Sequence, residues 1–183
     1  MNDRAEPEST NGLPAARRFR TWLRRAVLFL LVPYLALVLM FAWLQRSMMY
    51  FPARVAAVPT SECGLPPDRI HEIEVPVADD MRLAGWLALA TGQAADDSAD
   101  GLAKLTDGRN LLLYFPGNAG HRGYRANAIA DFTELGLDVV LVDYRGYAEN
   151  AGKPAEALLH ADAREIQAWL AARGVSADRL ILF

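Results

Sequence analysis

The chain is poor in residues that many functions require. Its 183 residues contain one cysteine and three histidines. A single cysteine, Cys63, closes no intramolecular disulfide and builds no cysteine-based zinc site, so it reads as a spectator thiol. His71, His121 and His160 lie too far apart for a metal signature. A basic excess is also missing. The net charge is −3, which argues against a nucleic-acid partner. No segment repeats another.

Apolar residues, by contrast, make up 52% of the chain. Many fall in one uncharged run over residues 26–44. As a helix that run is roughly 28 Å long, close to the thickness of a hydrocarbon core. Pro33 inside it is tolerable in a membrane helix. Arg17, Arg18, Arg20, Arg24 and Arg25 precede the run, and Arg46 and Arg54 follow it. That bias predicts a cytoplasmic amino terminus with the remainder outside the membrane. The run is long for a signal-peptide core and lacks a small-x-small site after Leu44, so an uncleaved anchor is expected. Four regions follow: a disordered, arginine-rich cytoplasmic tail (1–25), the anchor (26–44), a proline-containing connector (45–69) and a folded region (70–183).

The folded region reads as α/β. In "IHEIEVPV" (70–77), Ile73, Val75 and Val77 alternate with polar positions, as in a half-buried strand, and His71 is assigned to its polar side. Turn chemistry at 78–81 and a second strand at 82–89 complete an antiparallel hairpin. Residues 90–109 are rich in Ala, Asp, Gly and Ser and are expected to form a solvated loop. "NLLLYF" (110–115) and "LDVVLVD" (137–143) are unbroken apolar strands, as in a parallel sheet covered on both faces. A helix over 121–135 separates them, with Ile129, Phe132 and Leu135 on one face. A second helix over 154–173 buries Leu159, Ala163, Ile166 and Leu170. "RLILF" (179–183) is a last strand.

The informative stretch is "NLLLYFPGNAGHRGYR" (110–125), a strand that runs into a glycine-rich turn and then a helix. Gly117, Gly120 and Gly123 allow close backbone approach, and the following helix start offers N–H groups to an anion. A dinucleotide site is one reading, with Asp143 as the ribose acid. However, Gly-x-Gly-x-x-Gly fails at Asn118 or at Phe115, depending on the register. The other reading is an oxyanion loop, which supplies one backbone N–H to a tetrahedral intermediate.

"YFPGNAG", "VDYRGY" and "GKPAE…DA", with "MMYFP" (48–52) and "LAGW" (83–86), resemble the BEM46-like (ABHD13-type) membrane-anchored serine hydrolases of the α/β-hydrolase superfamily. The resemblance covers roughly residues 45–183. It implies an α/β-hydrolase sheet behind one transmembrane helix: the hairpin, then parallel strands with crossover helices. It implies an oxyanion loop at Pro116, Gly117, Asn118, Ala119 and Gly120, with the Asn118 N–H as donor, and a structural turn at Asp143, Arg145 and Gly146. Pro116 stands where many relatives have histidine. No cofactor or metal is implied. The implied partners are the lipid bilayer and a small acyl ester, thioester or amide.

The family's nucleophile sits in Gly-x-Ser-x-Gly after the fifth strand, with acid and histidine later. That motif is absent from the sequence. Gly174-Val175-Ser176-Ala177-Asp178 lacks the final glycine and precedes a strand instead of following one, so it reads as an ordinary loop. His121 borders the oxyanion loop and is expected to be a solvated helix-start residue. The expectation is therefore an amino-terminal portion ending at strand five, inactive and poorly soluble by itself. A non-catalytic membrane-anchored interaction module and a nucleotide-binding domain remain as alternatives.

Overall fold

Alternation of apolar side chains over Ile70–Val77 and two fully apolar runs, Leu111–Tyr114 and Asp138–Val142, build the sheet at the centre of this protein. A computed structural model describes residues 15–183. The elements are α1 (Ala15–Met49), β1 (Phe51–Pro52), β2 (Ile70–Val77), β3 (Met81–Ala88), α2 (Ser98–Ala103), β4 (Leu111–Tyr114), β5 (Ala119–Gly120), α3 (Ala126–Glu134), β6 (Asp138–Val142), α4 (Glu156–Ala171) and β7 (Leu180–Leu182). The chain divides into two units, Met1–Gln45 and Arg46–Phe183.

The described part of the first unit belongs to α1. Arg17–Gln45 is long and apolar enough to cross a membrane, and its large apolar side chains are exposed. The helix departs from the sequence-based bounds at both ends. It begins at Ala15, so the segment expected to be disordered is helical from that residue onward; the rest of that expectation, residues 1–14, lies outside the described residues. At the other end it runs through Met49, into the expected connector. Arg, Leu, Gln and Met are good helix formers, so the charged flanks do not stop the helix.

In the second unit the strand order is β2-β3-β6-β4-β7. β2 and β3 pair antiparallel with Ile73 opposite Gly85, β3 pairs antiparallel with β6, and β4 pairs parallel with both β6 and β7. From β4 the chain steps to β6 on one side, then crosses back to β7 on the other. Because crossovers are right-handed, this reversal sends α3 and α4 to opposite faces. One face buries Val75, Leu83, Leu113, Val140 and Val142 with Ile166 and Leu170 of α4. The other buries Trp86, Leu112, Val139 and Leu141 with Ile129 of α3. Adjacent residues of β4 and β6 thus serve opposite cores, which is why these strands read as continuous apolar runs.

Several local expectations need correction. Residues 90–109 are not simply a solvated loop. Asp97 caps α2 through a 2.8 Å bond from the Asp100 N–H, and Ala95 and Leu105 join the core. Short polar stretches conceal such insertions because two buried side chains suffice to dock them. His71 is buried on the same face as Ile73 and Val75, not on the polar side. Strand parity dictates this: odd positions of β2 point inward. The first crossover helix starts at Ala126, after a 3-10 turn over Arg122–Arg125. It leaves Leu135 exposed, because Leu135 lies beyond the last helical residue.

Candidate active site

In an open α/β sheet, ligands bind outside the carboxyl ends of the strands, where the strand order reverses. Here that place is the end of β4. The strand leads into Phe115 and Pro116, then a short exposed arc of Gly117, Asn118 and Ala119, and returns to buried Gly120. β7 ends beside the entrance to this arc. The Phe115 N–H donates to Phe183 O at 2.8 Å, and the Phe183 N–H to Leu113 O at 3.1 Å. Paired strands lie about 4.8 Å apart, so Phe183 at the end of β7 lies next to the start of the 116–120 arc. By contrast, the Gly174–Asp178 loop precedes β7 and sits at the opposite end of the sheet.

The arc is held from several sides. β5 pairs parallel with β1, Phe51 opposite Ala119 and Pro52 opposite Gly120. Asn118 O accepts the Phe51 N–H at 2.9 Å and the Tyr147 hydroxyl at 2.8 Å. Asn118 Nδ2 donates to Met49 O at 2.8 Å. Ala119 O accepts from Arg125 Nη2 at 3.2 Å. Among the described residues, no acceptor is paired with the Asn118 N–H. Gly120 has φ 85°, and an added Cβ would stand 2.3 Å from the Tyr124 ring, so only glycine fits there.

His121, expected to be solvated, is instead buried. Its Nδ1 accepts the Gly123 N–H at 3.1 Å and caps the 3-10 turn, and the Tyr124 ring packs on it. The sequence shows a histidine beside glycines but not that its ring is spent on a cap. His160 is exposed on α4 and, with Tyr50, Phe115, Tyr144, Glu156 and Leu159, lines a cavity of about 300 Å³ near the end of β4. Burial pushes the Tyr144 hydroxyl up to about 12, which keeps it protonated at neutral pH. Among the described residues no cluster of His, Cys, Asp or Glu has the arrangement of a metal site.

Asp143, Arg145 and Gly146 are each engaged by other groups of the fold. Asp143 is fully buried and accepts the Arg122 N–H at 2.8 Å and Arg122 Nη1 at 2.7 Å. The same guanidinium reaches Glu149 and Val58 O and lies over the Trp86 ring. Burial works to lower the Arg122 pKa, but hydrogen bonds to Glu149 and Asp143 outweigh it and the net shift is upward. For Asp143 burial is the larger effect, so its carboxyl is raised despite Arg122. The guanidinium stays charged in any case, and we regard the two as an ion pair. Arg145 Nε donates to Asp162 Oδ2 of α4 at 2.7 Å. Gly146, at φ 82°, turns the chain, and its N–H meets Ala151 O at 2.9 Å. Asn150 Nδ2 donates to Asp143 O and Asn150 Oδ1 accepts the Ala84 N–H, tying this turn to β3.

Sequence reasoning missed Arg122 and gave Tyr147 no role. Arg122 looks like one more surface arginine in a polar turn, and only the sheet brings Asp143 beneath it.

No family model matches the chain. An uncharacterised protein of Mycobacterium tuberculosis is 39% identical over 134 residues, covering 73% of this chain and 42% of that protein. Human protein ABHD12B is 37% identical over 73 residues, 39% of this chain and 20% of its own length. The mouse lysophosphatidylserine lipase ABHD12 is 37% identical over 71 residues, 38% of this chain and 18% of that one. The chain therefore spans less than half of the curated relatives it matches. Among solved structures, the Pyrococcus furiosus esterase Pf2001 superposes with a TM-score of 0.51 at 17% identity, covering 73% of this chain and 46% of the esterase. Strand order, the arc beyond β4 and these likenesses together identify the chain as an α/β-hydrolase-type protein.

Proposed function

We propose that this chain is the amino-terminal part of a BEM46-like, membrane-anchored serine hydrolase that cleaves acyl esters, thioesters or amides. The observation that carries the reading is the exposed Asn118 N–H, unpaired among the described residues, at the carboxyl end of β4 and beside the end of β7. An amide there suits an oxyanion formed by a nucleophile placed directly after β7. In this reading a serine attacks the carbonyl, a histidine takes and returns its proton, and an acid orients the histidine. Those three groups belong to later chain, so residues 1–183 supply the oxyanion donor and are inert alone. Asp143, Arg145 and Gly146 support the arc and touch no reacting atom. The partial match to lysophosphatidylserine lipases favours lipid acyl esters within the substrate class. Arg17, Arg18, Arg20, Arg24 and Arg25, ahead of the apolar run, support a cytoplasmic amino terminus with the hydrolase unit outside.

The test is the coding sequence beyond Phe183, read in all frames, followed by fluorophosphonate labelling of the extended protein. A Gly-x-Ser-x-Gly within about ten codons, and labelling lost on Ser→Ala, is expected. Absence of the motif in every frame, or an extended protein that the probe ignores, refutes the proposal.

A further inference from the structure

The arc at 116–120 is clamped by groups that the chemistry of an oxyanion hole does not itself require. Pro116 fixes one φ at its start. Gly117 then restores freedom, because without a Cβ its flanking peptide units can rotate. The next residue is where rotation stops. Asn118 is held by its carbonyl, which accepts both Phe51 N–H and Tyr147 Oη–H. It is also held by its side chain, whose Nδ2 donates to Met49 O. Three bonds from two separate segments therefore converge on one residue of an otherwise exposed arc. One segment is the backbone leaving α1. The other is the turn after β6, where Tyr147 is 1% exposed.

β1 cannot supply this hold through a longer ladder. It is two residues long, and Pro52, opposite Gly120, has no N–H to give. The Phe51 N–H is thus a lone backbone donor, and Tyr147 shares its acceptor. A buried tyrosine normally finds some partner for its hydroxyl. Here that partner is the carbonyl of Asn118, the residue whose N–H has no acceptor among the described residues. Burial raises the Tyr147 pKa, which keeps the hydroxyl a donor at neutral pH.

We propose that Tyr147 is a positioning residue that, with the Met49–Phe51 backbone, locks Asn118 and thereby the direction of its N–H. The lock is a statement about the arc itself; its catalytic meaning rests on the hydrolase reading.

Amide hydrogen exchange tests the lock in the full chain held in dodecylmaltoside micelles, with no need of activity. A net hydrogen bond of typical strength corresponds to about three- to tenfold in local opening. Tyr147→Phe is expected to accelerate exchange in peptides covering 115–121 by that factor and to leave the β2–β3 hairpin unchanged. Phe51→Ala keeps its backbone N–H and is expected to leave the arc unchanged. Asn118→Ala, which removes the bond to Met49 O, is expected to accelerate the same peptides and serves if Tyr147→Phe fails to fold. Acceleration below twofold in the arc, or equal acceleration in the hairpin, overturns the proposal. In a protein extended past β7, Tyr147→Phe is expected to lower kcat about tenfold at unchanged KM, the pattern of a lost transition-state interaction. A rise in KM at constant kcat overturns the catalytic meaning. Faster exchange in an extended protein without esterase activity upholds the lock and refutes the hydrolase reading.

Discussion

Replacing Arg122 with methionine removes a buried cation while keeping an unbranched side-chain stem and the backbone N–H that Asp143 accepts. Arg122 and Asp143 are 1% and 0% exposed. After the change Asp143 keeps one bond, from residue 122 N–H, and loses the charged partner at 2.7 Å. Leaving such a carboxylate uncompensated costs about 3–5 kcal/mol. The second pair weighs less, since Glu149 retains 25% side-chain exposure and gains water in exchange. With a guanidinium m-value of roughly 4 kcal/mol/M for a domain of this size, the midpoint falls by about 1 M. Denaturation followed by tryptophan fluorescence in micelles measures it, and Trp86, 5.3 Å from the guanidinium carbon, reports locally. Adding Asp143→Asn to Arg122→Met removes the stranded charge and is expected to recover about half the loss, a coupling that a double-mutant cycle isolates. The Asp143 carboxyl, already raised, goes higher when Arg122 is gone, so the single variant's deficit shrinks as pH falls. A midpoint shift below about 0.2 M, or no recovery in the double variant, refutes the view that this buried pair stabilises the fold.

Gly85→Ala places a Cβ 2.5 Å from Leu141 O and 3.0 Å from Val142 Cα. Backbone cannot yield as a side-chain tip can, so a loss of about 1–3 kcal/mol is expected, and a thermal melt lowered by less than about 2 °C would contradict it. The Tyr144 hydroxyl holds its proton to about pH 12 in the folded state but only to about pH 10 when unfolded. Stability is therefore full below pH 10 and declines through pH 12, by at most about 2–3 kcal/mol. Tyr144→Phe should remove that slope, and an unaltered alkaline profile would show that the hydroxyl is not so buried.

The sheet was legible because each strand carries its burial in its pattern. β4 and β6 are apolar throughout and are covered on both faces. β2 alternates and is covered on one. What the pattern hid was long-range pairing of polar groups. A buried His71, a capping His121 and the Arg122–Asp143 pair each look like ordinary polar residues until the sheet sets their neighbours. α1 extends past the apolar run for a different reason: the edges of such a run mark where charge begins, whereas helix propensity continues through arginine and glutamine. The arc at 116–120 was found from its glycines, yet the restraints on Asn118 come from residues 49–51 and 147, remote in sequence and joined only by folding.

The two borders of the sheet differ in kind. Along β2, Pro76 withholds a donor and Glu72 and Glu74 face solvent, features that discourage a foreign strand. Along β7, Ile181, Leu182 and Phe183 are exposed and no such guard is present. Among the described residues, β7 is therefore the less guarded of the two borders, and it is the one nearest the 116–120 arc.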